Sequence, residues 1–107
     1  MTVARRRLPD RRSHVLFDFE HSGIRYTVGA GFFESGDLAE IFLNAGKHGT
    51  AAAVNAQDGA IATSLLLQHG CSVETLRRAL SRNSNGSAAG PLARALDLLA
   101  GDQGGAS

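Results

Sequence analysis

Two groups of residues in this chain have the types and spacing to bind a ligand. The first is Gly46-Lys47-His48-Gly49-Thr50, which leads from a strand-like stretch into a helix-like one. A helix N-terminus presents free backbone N–H groups and the positive end of its dipole, so with Lys47 this loop would hold an anion such as a phosphate. Its glycines let the ligand approach the backbone. The same residues also make an ordinary connection, with Thr50 capping the helix and Lys47 solvated. The second group is Arg77, Arg78 and Arg82, whose guanidinium groups suit phosphate contacts. The remaining chemistry is sparse. His14, His21, His48 and His69 lack metal-ligand spacing. Cys71, the one cysteine, excludes an intrachain disulfide, a cysteine-only metal cage and an internal dithiol couple. It is read as a packing residue. There is no nucleophile elbow, no Walker phosphate loop and no H-E-x-x-H helix. No catalytic residue, metal or cofactor is expected.

These residues need elements to position them. Val15, Phe17 and Phe19 alternate with Leu16, Asp18 and Glu20, the period of a half-buried strand over Ser13 to Glu20. His21-Ser22-Gly23 is turn chemistry, and Ile24 to Phe33 returns as a second strand in which Gly29 and Gly31 mark a bulge or a close approach. After Glu34-Ser35-Gly36-Asp37, Leu38 to Leu43 reads as a third strand. A helix follows from Ala51 to His69, capped by Thr50 and ended by Gly70, with Val54, Ile61 and Leu65 as its inward stripe. Asp58 falls on that stripe. It lies either at an exposed margin or against a cation such as Arg25, Lys47 or Arg82. Ser72 caps a short helix through Leu80, and Pro91 opens a third with Leu92, Leu96 and Leu99 inward. The expected fold is α+β, a three-stranded antiparallel sheet covered on one face by two or three helices. Phe17, Phe42, Ile61, Leu65 and Leu76 are the expected core.

The chain has 107 residues, 43% of them apolar, enough for one domain with its own core. Its charge is unevenly placed. Residues 1–12 carry five arginines against one aspartate, a +4 arm that suits phosphates or an acidic protein face, and the rest of the chain is −3. The expected division is a flexible arm at 1–12, one domain over 13–100 and a flexible tail at 101–107. No apolar run is long enough to span a membrane and none follows the arm as in a signal peptide, so a cytoplasmic location is the default.

Two resemblances sharpen the reading. Gly70-Cys71-Ser72, Thr75, Leu76, Arg77 and Leu80 resemble the turn and recognition helix of helix-turn-helix repressors, which implies DNA binding through Arg77, Arg78, Arg82 and the arm. Leu66 departs from the small residue of that pattern, and the acidic body departs from the usual basic one. Residues 27–91 as a block are similar to a different family. Glu34-Ser35-Gly36-Asp37-Leu38-Ala39-Glu40-Ile41-Phe42, then Gly46-Lys47-His48-Gly49, then Ala60-Ile61-Ala62-Thr63-Ser64-Leu65-Leu66-Leu67-Gln68-His69-Gly70 resemble in order the C-terminal region of class II, cobalamin-dependent ribonucleotide reductases and the stand-alone TSCPD domain. His69 and Ser72 replace that family's tyrosine and proline, and of the segment after Leu80 only Arg82 persists. The resemblance implies a shared fold, and the reductase's radical and redox cysteines have no counterpart here.

The leading expectation is therefore a stand-alone accessory or binding domain without catalysis of its own. It would bind a nucleotide-like anion, a partner protein such as a reductase large chain, or both. Its expected site is Gly46, Lys47, His48, Gly49 and Thr50 with Arg82 and Asn83. The alternative is a DNA-binding regulator using residues 70–82 and the arm. A third is a homodimer joined by a sheet edge.

Overall fold

The computed structural model describes residues 13–46 and 50–101. Strands β1 (His14–His21), β2 (Ile24–Phe32) and β3 (Leu38–Ala45) precede helices α1 (Ala51–Gln68), α2 (Val73–Ala79) and α3 (Pro91–Leu99). The strands form one antiparallel sheet in the order β1-β2-β3. This is the α+β fold expected from the sequence. The arm at 1–12, Lys47 to Gly49 and residues 102–107 lie outside the described residues.

Local chemistry sets the boundaries. Ser22 and Gly23 both have positive φ, 51° and 78°, which gives the two-residue hairpin turn whose twist matches the strands it joins. Thr50 accepts a hydrogen bond from the Ala53 N–H, and Ser72 accepts one from Thr75, so both expected caps form. Gly70 adopts φ 98°, with its own N–H on the Leu67 carbonyl and that of Cys71 on Leu66. This paired closure of the last helical turn needs a residue at positive φ, hence glycine. β3 runs two residues past the expected Leu43, because Asn44 and Ala45 pair with Thr27 and Tyr26.

The core lies between one face of the sheet and the helices. Tyr26, Val28, Ile41 and Leu43 meet Ala53, Ala56, Ala60 and Leu67 of α1, and Leu76, Ala95 and Leu96 close the cluster. α1 packs on β3, α3 on α1, and α2 on α3. Of the five expected core residues only Leu76 is buried. Phe17 is half-buried against the cluster, while Phe42, Ile61 and Leu65 are 55%, 59% and 42% exposed. The physical reason is the composition of α1. Its inner face carries Ala53, Ala56 and Ala60 at helical spacing and then Leu67, while Val54, Ile61, Leu65 and Leu66 point away. Asp58 is accordingly exposed, while Arg25 and Arg82 pair with other acids.

Gly29 and Gly31 differ in what surrounds them. The register shifts between Gly31 and Phe32, a bulge at the position the glycines suggested. A Cβ at Gly31 would stand 2.6 Å from Oε2 and 3.0 Å from Cγ of the buried Glu40, whereas one at Gly29 would meet Leu16 and Phe42 at 3.5 Å or more. Gly31→Ala is therefore expected to cost about 1–3 kcal/mol, the scale of a group forced into filled space. Gly29→Ala is expected to be neutral or slightly stabilising, since it removes a flexible residue from a strand. Thermal unfolding of the two variants checks both.

Candidate functional site

The sheet face opposite the helices shows how the surface is built. Cross-strand pairing places Leu16 beside Gly29 and Gly29 beside Phe42. Because Gly29 has no side chain, Leu16 and Phe42 flank it as one apolar strip, and Leu16 is 76% exposed. On either side of the strip the face is polar. Asp18 accepts hydrogen bonds from Thr27 at 2.7 Å and Arg25 at 3.3 Å, and these, Thr27 first, hold its carboxyl below the usual carboxylate range.

The strip continues around the edge of β3. There α1 lies along the strand and covers its backbone with side chains. Ser64 Oγ accepts from the Ile41 N–H at 2.9 Å and donates to the Ile41 carbonyl at 3.1 Å. The Gln68 amide donates to the Ala39 carbonyl, and Gln57 donates to the Asn44 side chain. By strand alternation Leu43 turns its N–H and carbonyl the same way as Ile41. Between these contacts runs a groove of about 430 Å³ whose lining includes Phe42, Leu43, Ile61, Ser64 and Leu65. Exposed Ile61 and Leu65, with Val54 on the same side of α1, extend the apolar surface begun by Leu16 and Phe42. Sequence reasoning singled out Phe42, Ile61 and Leu65 as core. The signal for their real position was the alanine series Ala53, Ala56 and Ala60, which offers α1 a second face to bury.

Four of the expected anion-binding residues are described, and they do not share one hollow. Gly46 and Thr50 line a hollow of about 520 Å³ with Ile24, Arg25 and Ala52. Arg82 and Asn83 take no part in it. Asn83 closes the turn that follows, donating through its amide to Ser87 and Ala88. Lys47, His48 and Gly49 lie outside the described residues.

Arg82 instead meets Asp97 of α3, whose side chain is completely buried. Arg82 Nη2 donates to Asp97 Oδ1 at 2.8 Å and its Nη1 donates to Oδ2, while Arg77 Nε reaches Oδ1 at 2.8 Å. Arg82 also donates to the Arg77 carbonyl, and Arg77 Nη1 pairs with Glu74 at 2.6 Å. The hydrogen bonds from Arg82 hold the Asp97 carboxyl below its ordinary value against the upward push of burial, with Arg77 adding to them. Two of the three arginines proposed for DNA contact thus have acidic partners within the fold. Arg78 is exposed on α2, its Nε 3.4 Å from the Glu74 carbonyl. α2 packs on α3.

Among the described residues no cluster of His, Cys, Asp or Glu could hold a metal ion, and no helix is long and apolar enough to cross a membrane. Comparison of the chain with protein-family models, curated proteins and solved structures finds no match.

Proposed function

We propose that the chain is a non-catalytic binding domain that docks a partner protein on the apolar surface running from Leu16 and Phe42 to Ile61 and Leu65. The observation that carries this reading is the exposure of large apolar side chains on two elements around one groove. Such side chains scattered singly are ordinary, but a contiguous group beside a groove fits an interaction site. The groove asks for an apolar side chain above Leu43 and a backbone amide to meet the N–H and carbonyl of that residue. A peptide segment supplies both. Phe42, Ile61 and Leu65 fall inside the stretches that resemble class II ribonucleotide reductases, so a reductase large chain is the proposed partner.

Calorimetric titration of the full chain with the purified large chain of a cobalamin-dependent reductase from the same organism tests the proposal. Saturable binding is expected. Phe42→Asp should weaken it at least about 30-fold, the effect of losing a central interface residue. Since Phe42 is 55% exposed, the variant should keep the circular dichroism of the parent chain. No binding, or binding unchanged in both Phe42→Asp and Ile61→Asp, would overturn the reading.

A further inference from the structure

The two edges of the sheet are finished differently. Along β3, side chains of α1 satisfy the outward groups of Ala39 and Ile41. Along β1 the described residues supply no such cover. The Phe32 N–H bonds the Ser13 carbonyl, and in the antiparallel register Ser13 and the odd-numbered residues that follow turn their backbone groups toward β2. His14, Leu16, Asp18 and Glu20 therefore turn theirs outward. Among the described residues no helix or loop hydrogen-bonds these outward groups. The side chains of β1 are also incompletely covered, since Val15 is 41% exposed and Phe17 and Phe19 are half-buried. A long, straight edge with open apolar positions is what proteins ordinarily blunt with lysine, proline or a bulge. β1 contains neither lysine nor proline and pairs with β2 without a bulge.

We infer that β1 pairs antiparallel with β1 of a second copy, about a twofold axis at Phe17, to make a continuous sheet of both copies' strands. The register follows from the strand's own sequence. With Phe17 opposite Phe17 of the second copy, His14 faces Glu20 and Leu16 faces Asp18. Every outward backbone group of these four residues then finds a partner. On the helix side Val15 meets Phe19, and the two Phe17 rings meet at the axis, where the absence of ladder bonds brings side chains closest. No like charges oppose each other. Moving the axis to Asp18 sets two aspartates face to face, and moving it to Phe19 sets Asp18 against Glu20. Moving it to Leu16 leaves the outward groups of Glu20 without a described partner. The strand is thus complementary to itself in one register, as an interface across a twofold axis requires.

This edge shares only Leu16 with the proposed docking surface and none of the lining of the β3–α1 groove, so Phe42→Asp and Ile61→Asp, which lie away from β1, tell the two proposals apart. Sedimentation of the purified full chain over a range of concentrations should show a reversible monomer–dimer equilibrium. Amide exchange by NMR should show Leu16, Asp18 and Glu20 protected in the dimer and exchanging freely on dilution. Leu16→Pro is the decisive variant. Its lost N–H points away from β2, so the monomer should fold with the parent's circular dichroism while the dissociation constant rises at least tenfold. Phe42→Asp should leave self-association unchanged. A chain that stays monomeric at millimolar concentration would overturn the inference. So would a dimer in which those amides exchange freely, or one that Leu16→Pro leaves intact.

Discussion

Asp97→Ala is expected to lower stability by about 3–5 kcal/mol, the cost of removing one member of a buried ion pair and leaving its partner uncompensated. Asp97 is the sole fully buried acid among the described residues, and Arg77 and Arg82 both point at it. Truncation would leave two guanidinium groups, each about three-quarters or more covered, facing an apolar hole. Against a typical total of about 5–15 kcal/mol the loss is large, and it should appear as a lower urea midpoint with little change in slope. Replacing the three residues together by leucine or methionine should recover much of it, since the packed volume returns without a charge to bury. The effect also has a pH signature. Because the folded carboxyl is held below its ordinary value, the stabilisation from ionised Asp97 is complete above the unfolded value, about pH 3.9. It declines as the pH falls below that and is gone once the pH passes the folded value. The gap between parent and variant should therefore hold steady from pH 7 to about pH 5 and narrow in stronger acid.

Leu96→Ala is expected to cost about 2–5 kcal/mol, and Leu65→Ala less than about 1 kcal/mol. The two leucines sit on helices that both touch the core, yet Leu96 is fully buried and Leu65 is 42% exposed. Leu96 lies where α3 joins the cluster formed by the sheet and α1, so truncation opens a cavity that surrounding backbone cannot readily fill. Leu65 stands at the rim of the β3–α1 groove with solvent on one side. Paired denaturation curves for the two variants test the orientation of α1. Equal losses would mean that the helix presents its larger face inward after all.

What could be read from the sequence was local. The hairpin at Ser22-Gly23, the caps at Thr50 and Ser72, the stop at Gly70 and the start at Pro91 each follow from the chemistry of one or two residues, and all are present. The rotation of α1 was not legible in the same way. Apolar residues surround much of that helix, and the choice of face depends on how closely the sheet can approach, which favoured alanine over leucine. Asp97 was missed for a related reason. Helical spacing marks Asp58 as an acid needing a cation, whereas Asp97 adjoins Leu96 on the inward stripe of α3 and the two arginines that meet it belong to α2 and the segment after it. Ala93 and Leu96, three apart on that stripe with Asp97 next, were the available signal. Pairing across α2 and α3 is a tertiary fact that one-dimensional spacing does not contain.

The hydroxyl of Ser64, seated on both the N–H and the carbonyl of Ile41, has a consequence for growth of the sheet. With Ala39 and Ile41 already occupied by α1, a full strand cannot pair along β3, and among the described residues β1 is the edge on which a whole strand can be added. The two-copy assembly is then self-limiting toward further copies of the chain, since β3 keeps only the backbone of Leu43 open, enough for a short partner segment and too little for another sheet. Removing the hydroxyl, as in Ser64→Ala, would free the N–H and carbonyl of Ile41 next to those of Leu43 and so lengthen the row that β3 offers to another strand.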